Sequence, residues 1–322
     1  MTLKGGRPIV LLGPQRLDSL VRDVVTAPDL RVALSELRVR GPVALVTAGW
    51  QERESDDQAL AAALGGEAAN LTLHARSQEV FVDDPALAAA YGARQELLRH
   101  LQSFYRIRLD KTEEAARAIQ VRHVEPELLA QELRVSVEQF RQLDVDHLER
   151  CRAIHVAFED RWQLATRPAI ARHRDELREL LAPAKALVIA GGHVASLLNR
   201  LELFDVLGLA PDLPIVAWSA GAMVLTERIV LFHDFPPYGS DIAQVLDAGF
   251  GLVPGIVALP DAARRVRQDD RAGIARFAQR MAPATCVAMD PGARLIATKG
   301  RLTATHAARL TTEGDIDRTW NR

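Results

Sequence analysis

The chain has little of what marks a secreted, membrane-embedded or nucleic-acid-binding protein. Its 322 residues include only 2 cysteines, Cys151 and Cys286, whose wide separation does not indicate a disulfide framework. Aromatic residues make up 5% of the chain, and no uninterrupted apolar run approaches the roughly 18 residues of a membrane-spanning helix. The net charge of -2 gives no electrostatic reason to expect nucleic acid or a membrane surface as a partner.

The composition that remains is that of an ordinary globular protein. Apolar residues make up 48% and charged residues 25%, so the chain can bury at least one large core. The apolar run near the N-terminus breaks at Gly13-Pro14, which is too early for a secretory signal, so a cytoplasmic location is the default expectation. No cofactor is expected.

The first part of the chain alternates between strand and helix patterns. Short apolar runs at 8–12 and 42–47 predict buried strands, 70–75 predicts a third strand, and 57–64 predicts a helix between the last two. This order favours a mostly parallel sheet, in which ligands bind beyond the carboxyl ends of the strands. The loop residues Arg16, Trp50 and Arg53 are therefore candidates for a pocket, with both arginines as carboxylate partners. The alternative for each charge is a solvated loop.

The middle of the chain has a different character, with leucines among charged residues and few glycines. We predict a helical insertion over 84–183 that interrupts an α/β domain made of 1–83 and 184–322. Two apolar stripes are predicted on its helices, one of Leu97, Leu101 and Phe104 and one of Leu148, Cys151, His155, Phe158 and Trp162. Apolar faces of this size are expected to be buried, either against each other or against a second copy of the chain in a homodimer.

One group in the insertion has the spacing of metal ligands. His147, Cys151 and His155 stand at i, i+4 and i+8 of a predicted helix and could contact one ion. No further ligand cluster accompanies them, whereas zinc requires three or four ligands. A half-buried helix face is therefore the favoured interpretation, and no metal site is predicted.

The most informative stretch is 214–225, which reads PIVAWSAGAMVL. Its apolar half predicts a buried parallel strand, and its second half predicts a helix, so Ser219 is expected in the tight turn between them. The neighbours Ala220, Gly221 and Ala222 are small enough for the close approach that an exposed nucleophile at such a turn requires. The alternative is a serine that only caps the helix.

The segment before it strengthens the first alternative. Residues 185–203, KALVIAGGHVASLLNRLEL, predict another buried strand, a turn at Gly191-Gly192 and an amphipathic helix. This order, with Ser219 following in SAGA, resembles the serine peptidases typified by peptidase E and cyanophycinase. The resemblance covers about 185–310 well and 1–83 loosely, and it does not cover the middle of the chain.

The resemblance implies a fold and a set of roles. The fold would be class I glutamine amidotransferase-like, a mostly parallel sheet flanked by helices in flavodoxin-like layers, carrying here an α-helical insertion. Ser219 would be the nucleophile, and the backbone N–H groups of Ala220 and the Gly191-Gly192 turn would form the oxyanion hole. Each such donor is worth roughly 3 to 4 kcal/mol in a well-studied serine protease.

The sequence departs from the family pattern at the general base. Asp261, four residues before Arg265, stands where these peptidases have histidine. An ordinary aspartate, of pKa about 3.9 against about 6.5 for histidine, gives up about 3.5 kcal/mol of driving force for taking the proton. Two histidines could act as the general base in its place, His193 beside the glycine turn or His233 beside Asp234. Asp234 or Asp261 would then orient the histidine ring.

Two functions therefore remain open from the sequence. One is a serine hydrolase that cleaves a small peptide or amide through an acyl-Ser219 intermediate, with a degenerate or rewired triad. The other is a non-catalytic binding or regulatory protein that kept the fold and lost the catalytic histidine. A carboxylate-bearing substrate is the first expectation for the hydrolase, since the resembled family favours aspartyl peptides.

Overall fold

The computed structural model of the protein describes residues 6–15, 28–65, 67–233 and 242–320. It is a mixed α/β fold with a mostly parallel central sheet flanked by helices. Strands and helices are numbered in chain order. The large sheet consists, in spatial order, of β11 (Arg301–Thr305), β10 (Arg294–Thr298), β1 (Ile9–Leu12), β5 (Ile215–Trp218), β4 (Leu187–Ile189), β2 (Val43–Val46) and β3 (Ala68–Asn70).

Strands β1, β5, β4, β2 and β3 of this sheet run parallel to one another, and β10 runs antiparallel to β1. Strand β11 is antiparallel to β10 and so runs in the same direction as β1. The register pairs Leu12 with Trp218 and Ile189 with Ala217, so β1, β5 and β4 end side by side. The loops that follow these strands therefore meet at one edge of the sheet, where α/β proteins bind their ligands.

Smaller sheets stand beside the large one. One consists of β13 (Ile316–Asp317), β12 (Ala308–Leu310), β9 (Thr285–Met289) and β8 (Ile256–Pro260), with β8 and β9 parallel. The other is an antiparallel pair, β6 (Arg228–Leu231) with β7 (Gln244–Ala248).

Helices cover both faces of the large sheet and also pack against the smaller sheets. They are α1 (Pro28–Glu36), α2 (Gln58–Ala63), α3 (Leu73–Asp83), α4 (Pro85–Gln120), α5 (Pro126–Trp162), α6 (Pro168–Leu181), α7 (Val194–Leu203), α8 (Val206–Leu209), α9 (Ala220–Val224), α10 (Ala262–Arg265) and α11 (Arg271–Met281). Short 3₁₀ segments occur at Ala48–Arg53 and Leu164–Thr166.

The core follows the alternation of the strands. Val10, Val188 and Val216 point to the face covered by α1 and α2, while Leu11, Ile189 and Ala217 point to the face covered by α3, α6 and α7. Because both faces are buried, every residue of β1, β4 and β5 is apolar and inaccessible.

A third cluster forms away from the large sheet. It joins Tyr105 of α4 and Phe140 of α5 to Val245, Leu259 and Met281 of the smaller sheets and α11. The long α4 and α5 are thus packed against the rest of the chain and do not stand free in solvent.

The third predicted strand was misplaced. Residues 70–75 were expected to be extended, yet the strand is Ala68–Asn70 and α3 begins at Leu73. The carboxylate of Glu54 accepts hydrogen bonds from the backbone N–H groups of His74 and Ala75, each at 3.0 Å, and so caps α3. That cap comes from a loop about twenty residues earlier, which a local pattern does not reveal.

The predicted stripe on α4 was also partly wrong. Leu101 is buried, but Leu97 and Phe104 are 52% and 55% exposed. The buried face instead includes Tyr91, Arg94 and Tyr105, whose polar ends bond to other segments. A pattern that counts only apolar residues misses a face built from amphipathic side chains.

Of the helices in the described ranges, none combines the length and apolar character that a membrane crossing requires.

Candidate active site

Ser219 lies at the turn between β5 and α9 in a strained backbone conformation. Its φ of 50° and ψ of -120° are uncommon for a residue with a side chain. Its side chain makes no capping hydrogen bond to α9, so the alternative of a simple helix cap does not describe it. Strain of this kind is typical of a serine held out on a strand-to-helix turn.

The glycine turn after β4 lies against this serine. A methyl group on Gly191 would stand 2.8 Å from Ser219 Cβ and 3.5 Å from its Oγ, so only glycine permits the observed approach. Gly192, at φ +123°, packs in turn against the Gly49 backbone that follows β2. The backbone N–H of Ala220 belongs to the first turn of α9, where such groups have no partner within the helix.

A cavity of about 460 Å³ opens beside Ser219. Its lining brings together Ser219, Ala220, Gly192, His233 and Asp261 from four separate stretches of the chain. Ser219 is half-buried and His233 is exposed, so both are reachable from solvent. A serine, a histidine, a carboxylate and a helix N-terminus thus line one cavity, and these are the groups that an acyl-transfer site would need.

Asp261 occupies the end of β8, as the sequence motif indicates. It adopts a left-handed conformation at φ 59° and ψ 38° immediately before α10. Its carboxylate is 3.8 Å from the guanidinium of Arg264, and its side chain is 19% exposed. The Asp261 carboxylate thus faces a cation at the rim of the cavity.

The two histidines named as alternative bases have different surroundings. His193 is exposed, does not line the cavity, and caps α7, with its Nδ1 accepting from the Ser196 backbone N–H at 3.2 Å. Its Nδ1 also lies 2.9 Å from Ser196 Oγ. His233, by contrast, lies just after β6 and lines the cavity with Ser219. The expectation that His193 could serve Ser219 is therefore not supported by its position.

The predicted loop residues are not brought into the cavity. Arg53 pairs with Asp56 at 2.9 Å on the surface, and Trp50 packs against the core on the α1 and α2 face. Neither Trp50 nor Arg53 lines the cavity beside Ser219. Arg16 and Asp234 lie outside the described residues.

Other lining residues were missed from the sequence. Ile242 and Gln244 come from the start of β7, a strand that was not predicted, and Arg265 was used only to locate the motif. The burial of Gln244–Ala248 alternates, but its sequence QVLDA does not alternate between polar and apolar residues, so no period-2 pattern indicated β7. Nothing local indicated that this strand would fold back onto the nucleophile turn.

The helix group His147, Cys151 and His155 points to β7. His155 Nε2 is 2.8 Å from Asp247 Oδ2, and His147 Nε2 is 3.3 Å from the Leu246 carbonyl oxygen. Burial raises the pKa of the Cys151 thiol to about 12, which keeps it protonated. Within the described ranges, no group of three or more His, Cys, Asp and Glu side chains could hold a metal ion.

Comparison with known proteins adds little to this geometry. No protein-family model and no curated protein matches the sequence. One similar solved structure is the crystal structure of a peptidase from an acI-B1 Actinobacterium, at 16% identity and a TM-score of 0.32. That match covers 52% of this chain and 72% of the other. A likeness so low is no basis for a function, so the site itself has to support one.

Proposed function

We propose that the protein is a serine hydrolase that cleaves a small peptide or amide bond through an acyl-Ser219 intermediate. The observation that carries the proposal is the Ser219 turn: the residue is strained, does not cap its helix, and shares a cavity with His233 and Asp261. The likeness to peptidase E and cyanophycinase and the class I glutamine amidotransferase-like layering belong to the same proposal.

In the proposed reaction, Ser219 Oγ attacks the carbonyl carbon while its proton passes to His233. The backbone N–H groups of Ala220 and Gly192 would stabilise the oxyanion. His233 then gives the proton to the amine as the carbon–nitrogen bond breaks, and water releases the acyl group as a carboxylic acid. Asp261 would orient the ring of His233.

A carboxylate-bearing substrate fits the charge of the lining. Arg265 lines the cavity, and its guanidinium lies 5.7 Å from the centre of the Phe232 ring, which fixes its direction. Guanidinium groups recognise carboxylates by paired hydrogen bonds. We therefore propose that Arg265 takes the place in the substrate pocket that the sequence suggested for Arg16 and Arg53.

The test is covalent labelling with a fluorophosphonate, which reacts with activated serines. Wild-type protein should be modified at Ser219, and Ser219→Ala should not react. His233→Asn should slow labelling by about 100-fold or more, the usual contribution of a general base. Ser196→Ala is the matched control, because Ser196 contacts His193 outside the cavity, and it should label like wild type.

A second comparison separates the hydrolase from the non-catalytic alternative. Asp261→His restores the base that the resembled family uses, so hydrolysis of aspartyl dipeptides should rise in a manner that requires Ser219. If folded wild type resists labelling and neither it nor Asp261→His turns over any such substrate, the non-catalytic binding protein becomes the better description.

A further inference from the structure

Strand β7 has one edge without a strand partner. It pairs with β6 on one side, and no strand of the described residues pairs with the other. A free edge presents unpaired backbone N–H and C=O groups, which proteins normally cover or block. The way this edge is covered links the helical insertion to the Ser219 cavity.

Side chains from three helices bind consecutive backbone groups along this edge. Tyr105 Oη accepts from the Val245 N–H at 3.1 Å. Arg280 Nη1 donates to the Ala243 carbonyl oxygen at 2.8 Å, and Gln102 Nε2 donates to that of Val245 at 3.3 Å. The helices α4, α5 and α11 thus take the place of a neighbouring strand, with His147 of α5 next to Leu246.

Two of these side chains, Tyr105 and Arg280, form one buried network with Asp144 of α5. Arg280 donates from Nε to Asp144 Oδ2 at 2.8 Å and from Nη2 to Asp144 Oδ1 at 2.6 Å. Tyr105 Oη donates to Asp144 Oδ1 at 2.8 Å and accepts from Arg280 Nη2 at 2.8 Å. The side chains of Arg280 and Asp144 are only 3% and 2% exposed.

The burial of this network fixes its protonation and geometry. Desolvation raises the pKa of Tyr105 well above its ordinary value, so the phenol stays neutral and can donate and accept at once. A buried polar network in which every member is satisfied specifies one arrangement, because any other leaves a charge without a partner. The position of Val245 relative to α4 and α5 is therefore tightly defined.

The strand held in this way forms part of the cavity wall. Ile242 and Gln244, on either side of the Ala243 that Arg280 binds, both line the cavity with Ser219. Gln102 Nε2 also lies 3.4 Å from Gln244 Oε1. The partner strand β6 ends at Leu231, two residues before His233.

We infer that Tyr105, Asp144 and Arg280 are positioning residues for the Ser219 cavity, and that the helical insertion acts in the reaction by holding β7 and, through β6, His233. This inference rests on the proposed hydrolase function. The insertion is then an integral part of the site.

The test compares two equivalent substitutions on one helix. Tyr105→Phe removes the hydroxyl that binds Val245 of β7, and Tyr91→Phe removes one that binds Asn199 of α7 at 3.1 Å. Both tyrosines are buried, so both variants should lose stability in urea unfolding, and Tyr105→Phe should lose more because it leaves the Val245 N–H without its acceptor. Only Tyr105→Phe is expected to slow fluorophosphonate labelling of Ser219, by tenfold or more, and to alter the pH profile of labelling.

Hydrogen exchange supplies a readout that does not need activity. The amide of Val245 should exchange at least tenfold faster in Tyr105→Phe and at the wild-type rate in Tyr91→Phe. If Tyr105→Phe fails to fold, Gln102→Ala, which removes the donor to the Val245 carbonyl oxygen, replaces it in the comparison of labelling rates and pH profiles.

The outcomes separate the two proposals. Equal labelling rates and pH profiles in wild type and Tyr105→Phe overturn the positioning role, even when exchange differs. If wild type does not label at all, the hydrolase proposal fails, and the positioning role falls with it only when the exchange of Val245 is also unchanged in Tyr105→Phe.

Discussion

At the scale of single residues, the position of the Ser219 hydroxyl depends on what its neighbours lack. Gly191 has no Cβ where one would stand 2.8 Å from Ser219 Cβ, and Gly221 has none where one would stand 2.6 Å from the carbonyl oxygen of Ile189. Both contacts are with atoms that cannot move without shifting the turn. The small residues of the motif are thus required by the close approach of β4 to the turn after β5.

This geometry predicts the effect of one added methyl group. Gly191→Ala must push Ser219 away from the backbone that would form the oxyanion hole, so fluorophosphonate labelling should fall at least tenfold. Gly92→Ala is the matched control, because Gly92 lies inside α4 with open space where a Cβ would be. It should leave labelling unchanged and raise the free energy of unfolding by about 1 kcal/mol. Equal labelling in both variants would contradict the importance of the glycine approach.

At the scale of elements, the contact between α5 and β7 brings a histidine into the interior. His147 is 3% exposed and stacks on Tyr105 at 4.2 Å between ring centres. Burial lowers the pKa of His147, because its surroundings disfavour the imidazolium form, while Asp247 and Asp144 partly oppose the shift. The folded protein therefore holds this side chain neutral where the unfolded chain would bind a proton.

The pKa shift of His147 predicts acid sensitivity. Its stabilising contribution is complete above the unfolded pKa of about 6.5 and is lost as the pH falls towards the lower folded pKa, at up to about 1.4 kcal/mol per pH unit. His147→Phe keeps the ring on Tyr105 and removes this titration. Between pH 7.5 and 5.5, the free energy of unfolding measured in urea should fall less in the variant than in wild type. Part of the fall should remain, because burial also lowers the pKa of His173. An unchanged loss would rule out His147 as a contributor.

At the scale of the whole molecule, the apolar side chains of α5 are covered mainly by the rest of the chain. Phe158 and Trp162 pack against the central core, and Leu148 packs with the cluster around β7 and α11. These side chains therefore need no second subunit. The apolar side chains that remain exposed on α4 include Leu97 and Phe104.

The homodimer is still a proposal, and this exposed part of α4 is where it would form. Leu97, Phe104 and Ile107 are 52%, 55% and 59% exposed and repeat at helical spacing along one side of the helix. Light scattering should give twice the chain mass of 35.4 kDa, and Phe104→Glu should give the monomer. A monomeric wild type at micromolar concentration would contradict the dimer.

The sequence by itself determined the parts of the fold that depend on local pattern. The apolar runs of β1, β2, β4 and β5, the hairpin of β10 and β11 and the helical middle all follow from periodicity and turn residues. The Ser219 turn was predictable for the same reason, since its small residues and the flanking strand and helix lie within twelve residues.

Only the tertiary structure decided which distant residues meet Ser219. His233 and Gln244 line the cavity with Ser219, Tyr105 and Arg280 bind backbone groups of Val245 and Ala243, and His193 caps α7. Such contacts join segments up to about 175 residues apart, where no local periodicity relates one residue to the other. Buried polar side chains have to be hydrogen-bonded, and their partners can lie on any segment that the fold brings near. The identity of these partners is therefore decided by the tertiary structure.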